Sequence, residues 1–196
     1  MQPEGAVLDT LHTSGALKEG HFVLSSGRHS DKYIEKFDLL RQPKATSEVC
    51  RVITDRFQDQ GIEVVVGPTT GGVILAFEVA RQLGVAAAYA ERTTNSGREF
   101  RRGTTFSLGT RVLVVDDILT TGGSLRETLA ALASHPVYIA GVAVLVDRSG
   151  GEVDLGVPYI ALATMDIATW DASDCPLCRR GESVVKPGTT AREGAG

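Results

Sequence analysis

Residues 112–124 decide the fold of this chain, and they read Val-Leu-Val-Val-Asp-Asp-Ile-Leu-Thr-Thr-Gly-Gly-Ser. Four consecutive apolar residues predict a strand that is buried on both faces, and this strand is predicted to end at two adjacent acids, Asp116 and Asp117. A turn with two threonines and two glycines follows. The spacing Ser124-x-x-Glu127 then predicts a capping box at the start of a helix.

The same alternation of strands and helices continues on both sides of this segment. Apolar runs predict strands over residues 62–66, 85–90, 111–115, 139–146 and 158–163. Apolar residues at helical spacing predict helices over residues 5–14, 46–60, 73–83 and 124–133. Strands that are apolar throughout and alternate with helices indicate an α/β fold: an open, mainly parallel sheet with helices on both faces. Ligands of such sheets bind beyond the carboxyl ends of the strands.

The length of 196 residues favours a single domain, which we place over residues 1–180. Its core is predicted over about residues 46–148. The less regular segments, about 1–45 and 150–180, are predicted to fold together as a small hood. Residues 181–196 carry few apolar side chains and are predicted to form a flexible tail.

The charge and hydropathy of the chain exclude several classes of protein. The formal net charge of −4 argues against a protein that binds nucleic acid through bulk positive charge. The most apolar stretch, residues 138–146, is too short to span a bilayer. The first residues carry neither the basic nor the apolar segment of a secretion signal, so we expect a cytoplasmic protein without a nucleic-acid or membrane partner.

Three cysteines are too few for a disulfide framework. Cys175 and Cys178 form one C-x-x-C pair, which supplies half of a tetrahedral zinc site. Because the chain has no second pair, two interpretations stay open: a zinc site shared between subunits, or a tight turn. Cys50 lies on the apolar face of a predicted helix and is expected in the core. His21 and His29 are expected to be structural or solvent-facing.

The turn after the acids has the chemistry of a sugar-phosphate site. Backbone N–H groups at a helix start, preceded by glycines, bind anions, and the hydroxyls of Thr120, Thr121 and Ser124 add donors. Asp116 and Asp117 would repel a phosphate but suit ribose hydroxyls or hydrated Mg²⁺ beside it. A short turn with solvated acids is the alternative. The chain lacks the phosphate-loop and dinucleotide motifs G-x-x-x-x-G-K-[ST] and G-x-G-x-x-G, which disfavours nucleoside triphosphates and dinucleotides.

Residues 112–124 resemble the phosphoribosyl pyrophosphate (PRPP) motif of type I phosphoribosyltransferases. Three further segments are similar to the orotate phosphoribosyltransferases: the hood segment 20–30, the pyrophosphate loop 67–72, and Asp147-Arg148 after the last core strand. The resemblance implies a pentosyltransferase of pyrimidine biosynthesis. Its reaction transfers the 5-phosphoribosyl group from PRPP to orotate, giving orotidine 5′-monophosphate and pyrophosphate, with Mg²⁺ as cofactor.

The resemblance also implies roles for individual residues. The expected catalytic residues are Asp116, Asp117, Arg92 and Arg98. The expected PRPP-binding residues are Asp116, Asp117, Ile118, Leu119, Thr120, Thr121, Gly122, Gly123, Ser124, Thr70, Gly71 and Arg92. The expected orotate-binding residues are Thr120, Arg148, Tyr33 and Ile34.

Within the acid pair, Asp117 is expected to steady the developing positive charge on the sugar, and Asp116 to hold hydroxyls. Mg²⁺ is expected to bind mainly through PRPP, with Asp116 and Asp117 reaching it through water.

Residues 91–104 are polar and carry four arginines but no lysine or histidine. They resemble the mobile loop that closes over the pyrophosphate site of a partner subunit in this family, which implies a homodimer with a shared loop. A solvated β-hairpin is the alternative. Many orotate enzymes carry lysines and a histidine in this loop and a lysine where this chain has Gly71. The missing lysines leave open a PRPP-sensing regulator without catalysis. A purine-type phosphoribosyltransferase also stays open, because it would share residues 112–124 but not the hood segment 20–30.

Overall fold

The apolar runs of the sequence form the inner strands of one sheet in a computed structural model, which describes residues 3–24, 26–94 and 96–187. The helices are α1 (Pro3–Thr13), α2 (Lys36–Leu40), α3 (Pro43–Phe57), α4 (Gly71–Leu83), α5 (Gly123–Leu132) and α6 (Pro176–Arg179). The strands are β1 (Leu17–Val23), β2 (His29–Ile34), β3 (Val64–Pro68), β4 (Ala86–Arg92), β5 (Arg98–Glu99), β6 (Thr110–Leu119), β7 (Val137–Asp147), β8 (Tyr159–Thr164) and β9 (Thr169–Trp170).

The main sheet has six strands in the order β5-β4-β3-β6-β7-β8. All neighbouring pairs are parallel except β4 and β5, which form an antiparallel edge. Residues 112–115 of β6 are completely buried, which fits a strand covered on both faces. The predicted α/β fold class is confirmed, and β3 and β6 bring the loops that follow them to the same edge of the sheet.

Strand β6 does not end at the two acids, and that prediction was wrong. The strand continues to Leu119, and its ladder with β7 includes the pairs Asp116↔Val144 and Leu119↔Asp147. The acids can stay in the strand because they alternate across the sheet and each carboxylate accepts hydrogen bonds from nearby donors.

The capping box at Ser124 was also wrong. Helix α5 begins at Gly123, and its N-cap is Gly122, whose φ of 77° lies in the left-handed region that favours glycine. The Ser124 hydroxyl instead donates to Asp116 Oδ2 at 2.6 Å. The hydroxyl donates to Asp116 because a hydrogen bond to a charged carboxylate is stronger than one to a neutral acceptor.

The chain divides into two compact units. The larger unit comprises Met1–Ala16 and Lys36–Asp166 and contains the six-stranded sheet with α1 to α5; Cys50 is buried in it, as predicted. The smaller unit comprises Leu17–Glu35 and Ile167–Gly196 and contains the sheet β1-β2-β9 and α6. The smaller unit contains fewer residues than the predicted hood, because α1, α2 and β8 belong to the larger unit.

In the smaller unit, His21 and His29 are 5% and 8% exposed, so the solvent-facing alternative for these histidines is wrong. The start of the predicted tail also belongs here: the N–H of Val185 donates to His21 O at 2.8 Å, and that of Val23 donates to Val185 O at 2.9 Å. Residues 188–196 of the predicted tail lie outside the described residues. Nowhere along the described ranges is there a helix both long and apolar enough to cross a membrane.

Candidate active site

The acid pair at the carboxyl end of β6 forms the centre of the site. Asp116 and Asp117 are only 5% and 4% exposed. Asp116 accepts hydrogen bonds from the Ser124 hydroxyl and from the N–H of Asp117. Burial and the adjacent charge of Asp117 raise the pKa of Asp116 to about 6. The site therefore holds a buried carboxylate that is costly to keep charged, a property common at functional sites.

Lys36 is the residue at this site that the sequence reasoning missed. Its Nζ donates to Asp117 Oδ1 at 3.0 Å and lies 2.8 Å from Oδ2. Asp117 Oδ1 also accepts from the Ile118 N–H at 2.7 Å, whereas Oδ2 accepts no hydrogen bond from the described residues. Asp117 Oδ2 is thus held by the Lys36 ammonium and lies against Gly71. The first residue of α2 lies 81 residues before Asp117, so no local pattern marked it.

The turn after β6 is open to solvent at the positions predicted to bind phosphate. Thr120, Thr121 and Gly123 are exposed, whereas Leu119 is buried, so Leu119 can offer only its backbone. A Cβ at Gly122 would lie 2.8 Å from a methyl group of Val153, which again requires glycine there. The N–H groups at the start of α5 are therefore next to exposed hydroxyls, as an anion site needs.

Arg126 fixes the shape of this turn. Its Nη1 donates to Thr121 O at 2.6 Å and its Nη2 donates to Asp154 O at 3.1 Å. One guanidinium thus ties the turn to the segment after β7. Because the turn is held before any ligand arrives, binding needs little further ordering of the backbone.

The predicted pyrophosphate loop follows β3 and lies directly against the acid pair. Thr70 is exposed, and Gly71 is buried. A Cβ at Gly71 would lie 1.9 Å from Asp117 Oδ2 and 3.2 Å from Leu40 Cδ1. The absence of a side chain at residue 71 therefore lets the loop touch the acid, and the structure brings these two predicted segments together.

Arg98 lies inside the larger unit rather than on an exposed loop. Its side chain is 2% exposed, and its Nη1 donates to Thr69 Oγ1 at 3.1 Å and to Ala90 O at 3.2 Å. Its Nε lies 3.4 Å from Glu127. Burial lowers the pKa of this guanidinium. Arg98 supports the start of the pyrophosphate loop in this conformation, while Arg92, its ladder partner, is exposed.

Strands β4 and β5 form a short hairpin within residues 91–104, the segment predicted to be a mobile loop. A hairpin was the alternative prediction. Strands β4 and β5 pair through Glu91↔Glu99 and Arg92↔Arg98. Arg101 pairs with Glu99, and Arg102 Nε donates to Glu91 Oε1 at 3.1 Å. Arg101 and Arg102 are thus paired within the same chain. Closure over a partner's site stays a prediction.

Arg148 follows β7 at the same edge of the sheet. Its N–H donates to Leu119 O at 2.8 Å, which brings it next to the turn that begins at Thr120. Asp147 orders this corner by accepting from the Ser149 N–H at 2.7 Å and the Tyr159 hydroxyl at 2.9 Å. Burial opposes ionisation of Asp147, but these hydrogen bonds outweigh it and hold its pKa below the usual range.

Tyr33 and Ile34, the other predicted orotate ligands, belong to the smaller unit. Ile34 is buried in β2, and the ring of Tyr33 packs on Phe22 with 5.7 Å between centroids. Their predicted contact with a substrate ring stays a prediction.

The family of the chain follows from a comparison with known protein families. The model of the family described as "Phosphoribosyl transferase domain" matches residues 38–173, which include both loops and the acid pair. The chain therefore belongs to the phosphoribosyltransferases.

Relatives narrow this membership further. The orotate phosphoribosyltransferase of Pelotomaculum thermopropionicum is 47% identical over 183 residues, which cover 93% of this chain and 96% of the relative. That of Caldicellulosiruptor bescii is 44% identical over 184 residues, with 94% and 96% covered. The crystal structure of orotate phosphoribosyltransferase from Aeropyrum pernix matches with a TM-score of 0.70 at 30% identity, covering 81% of this chain and 93% of that one. Within the family, this chain groups with the orotate phosphoribosyltransferases, and the resemblance seen in the sequence is confirmed.

Proposed function

We propose that this protein transfers the 5-phosphoribosyl group from PRPP to orotate and releases orotidine 5′-monophosphate and pyrophosphate. The observation that carries the proposal is the buried acid pair between an exposed phosphate-type turn and a glycine loop. The full-length similarity to proteins named orotate phosphoribosyltransferase selects orotate over a purine base. The same reaction belongs to pyrimidine biosynthesis, for which a cytoplasmic location is expected.

PRPP fits the site in three parts. Its 5-phosphate takes the turn Thr120–Gly123 and the hydroxyl groups beside the start of α5. Its ribose hydroxyls donate to the acid pair, in which Asp117 is held by Lys36. Its pyrophosphate takes the loop at Thr70 and Gly71, with Arg92 as the exposed cation beside it.

The reaction requires charge stabilisation rather than a nucleophile from the protein. Departure of pyrophosphate leaves positive charge on the ribose, and a carboxylate at the sugar stabilises that charge in a site without bulk water. Asp117 is assigned this role and Asp116 holds hydroxyls. Lys36, next to Asp117, balances one of the two buried negative charges before the substrate binds.

The donor set of the acids fits Mg²⁺ through water rather than by direct ligation. Both oxygens of Asp116 and one of Asp117 already accept hydrogen bonds from this chain. Direct coordination would displace those donors. Asp116 and Asp117 would thus hold the ion's water, while PRPP supplies its direct ligands. When bound, Mg²⁺ neutralises charge on the departing pyrophosphate.

Orotate is an anionic ring, so a guanidinium is the matching partner. Arg148 is assigned its carboxylate or a ring carbonyl, because its backbone is tied to Leu119 beside the ribose turn. Thr120 is assigned a position beneath the base. Tyr33 and Ile34 are assigned to the ring face.

The test is consumption of orotate by the purified protein with PRPP and Mg²⁺, followed by its absorbance. Adenine, hypoxanthine and uracil serve as competing bases. Of the four bases, we expect only orotate to be converted. Turnover of adenine or hypoxanthine would indicate a purine-type phosphoribosyltransferase instead. Binding of PRPP without turnover of any base would support the sensing regulator and refute the enzyme.

A homodimer with a shared loop is the second part of the proposal. Helix α4 begins at the pyrophosphate loop and exposes Phe77 (66%) and Ile74 (37%) to solvent. These residues border a groove of about 430 Å³ that is lined mainly by apolar side chains. A second copy on this face would cover them and lie close to the pyrophosphate loop.

Analytical ultracentrifugation tests this surface. Phe77→Glu should convert the dimer to a monomer, whereas Leu108→Glu, at another exposed apolar residue, should not. A shared loop has a separate test, in which Asp117→Asn chains are mixed with Arg102→Ala chains. Random pairing should restore about a quarter of the wild-type sites, because half of the dimers then hold one intact site. No recovery would refute the shared loop.

A further inference from the structure

Four side chains of the smaller unit converge outside the proposed active site. They are His21 in β1, His29 in β2, Cys175, and Cys178 in α6. One ligand atom from each lies within 4.8 Å of all the others. His21, His29 and Cys175 are buried, Cys178 is exposed, and both cysteines are free thiols. The C-x-x-C pair therefore finds its two missing ligands on the N-terminal hairpin of the same chain.

Three nitrogen–sulfur separations in the cluster are close to the edge of a metal-centred tetrahedron. Cys175 Sγ and Cys178 Sγ lie 3.5 Å and 3.6 Å from His21 Nε2, and Cys178 Sγ lies 3.3 Å from His29 Nδ1. Standard Zn–S and Zn–N bonds place a nitrogen and a sulfur about 3.6 Å apart in a tetrahedral site, and two nitrogens about 3.3 Å apart. The two ring nitrogens here are 2.8 Å apart, so small ring rotations complete the geometry.

Hydrogen bonding alone does not account for this arrangement. His21 Nε2 contacts His29 Nδ1 and both sulfurs, but a ring nitrogen carries only one proton or one lone pair. At the opposite side of the ring, His21 Nδ1 lies 2.9 Å from Glu182 O and can donate to it. That contact selects the tautomer in which the Nε2 lone pair points at the cluster. A backbone carbonyl in this position is the usual partner of a metal-bound histidine.

The smaller unit also lacks the apolar core that would hold its two segments together. Among its described residues, the large apolar side chains that are buried are Phe22, Ile34, Ile167 and Leu177. Folding units with so little apolar burial commonly rely on a disulfide or a metal. The cluster joins the β1–β2 hairpin to a segment that starts more than 130 residues later, with His21 and Cys175 separated by 154 positions.

We propose that His21, His29, Cys175 and Cys178 form a structural Zn²⁺ site that joins the two segments of the smaller unit. Two thiolates and two neutral imidazoles are a donor set that zinc prefers, and all four positions of the tetrahedron are filled by protein atoms. On binding, the two thiols release their protons to solvent, and the two thiolate charges balance the ion. The site is independent of the proposed transferase function, since none of its ligands belongs to that site.

The first test is metal analysis of the full chain, purified without added chelator. About one zinc per chain is expected, since one chain supplies four ligands. The double variant Cys175→Ser/Cys178→Ser should lose at least about 90% of that zinc, because two neutral hydroxyls replace the thiolate ligands. Cys50→Ala is the matched control, since Cys50 lies in α3 of the larger unit, and it should retain the zinc.

A second measurement on the wild-type chain covers the case in which the double variant does not fold. Replacement of the metal by Co²⁺ should give the intense visible absorption of a tetrahedral site together with sulfur-to-cobalt charge-transfer bands. A mercurial thiol reagent should release the metal as it titrates two thiols.

Three results would overturn the proposal. The first is a wild-type chain that takes up no zinc under reducing conditions. The second is a Cys175–Cys178 disulfide in the freshly isolated protein, read by mass spectrometry. The third is a ratio of about one zinc per two chains, which would indicate a site shared between subunits.

Discussion

Replacing Asp116 by asparagine tests the energetic cost of the buried acid pair. Burial and the Asp117 charge raise the pKa of Asp116 from 3.8 to about 6. Each pKa unit corresponds to about 1.4 kcal/mol, so charged Asp116 costs the folded state about 3 kcal/mol at neutral pH as an upper limit. Asparagine removes that charge with nearly the same shape. The Ser124 hydroxyl then loses its charged acceptor, which reduces the expected stabilisation by about 1–2 kcal/mol.

The sign of the effect depends on pH. Above pH 7 the wild-type protein bears the full cost of the charge. As pH falls through 6 towards 3.8, the folded state takes up a proton that the unfolded state does not yet bind, so the wild-type protein gains stability. The Asp116→Asn variant should therefore be more stable than wild type by about 1–2 kcal/mol at pH 7.5 and lose that advantage near pH 4.5.

Urea unfolding followed by circular dichroism at the two pH values measures the difference. Asp9→Asn, at an exposed position, is the control and should change stability at neither pH. Turnover by the Asp116→Asn variant should fall even as the protein becomes more stable, because the amide cannot accept ribose hydroxyls at both oxygens. A variant that is less stable at pH 7.5, or an advantage of equal size at both pH values, would refute the reasoning.

Three further substitutions test neighbouring contacts. Gly71→Ala should lower kcat by at least about tenfold and also lower the unfolding midpoint, since its Cβ would displace the buried Asp117 from Lys36. A wild-type rate would contradict the close approach. Asp117→Asn should cut kcat by about 10²–10³-fold through lost charge stabilisation, and an unchanged rate would refute the ribose placement. Tyr159→Phe should destabilise the protein by about 1 kcal/mol, because Asp147 loses a hydrogen bond. Since Asp147 precedes Arg148, KM for orotate should rise more than KM for PRPP. Equal changes in the two KM values would argue against an orotate-binding role for Arg148.

The order of strands and helices could be predicted because it depends on local patterns. Strands that are apolar throughout and helices with one apolar face differ in period, so the sequence separates them along the whole core. The ends of the elements depended on long-range contacts instead. Strand β6 runs past its acids because β7 continues the ladder beside it, and the neighbouring strand is not visible in the local pattern of residues 112–119.

The candidate site divides in the same way. The acids, the turn and the glycine loop each lie within one short segment, and their chemistry follows from residue type and order. Lys36 and Arg98 gain their roles from partners far away in the chain, Asp117 and Thr69. A lysine at the start of a helix is most often solvated, so Lys36 carried no local signal. Arg98 was expected at the site, but nothing local predicted its burial. The sequence marked Cys175 and Cys178 as half of a zinc site, but sequence separation hid their proximity to His21 and His29.

The arginine-rich hairpin is the predicted source of positive charge for pyrophosphate in a chain without the usual lysines. Arg101 and Arg102 are exposed and pair with Glu99 and Glu91, and exposed ion pairs contribute little stability. A pyrophosphate group, with several negative charges and fork-shaped acceptor geometry, is a stronger partner for a guanidinium than a single exposed carboxylate. These arginines can therefore leave their acids when the leaving group is present. Arg98 differs, because its buried hydrogen bonds to Thr69 of the pyrophosphate loop and to Ala90 of β4 would have to break first. We therefore predict that Arg101 and Arg102, rather than Arg98, supply charge to the departing pyrophosphate.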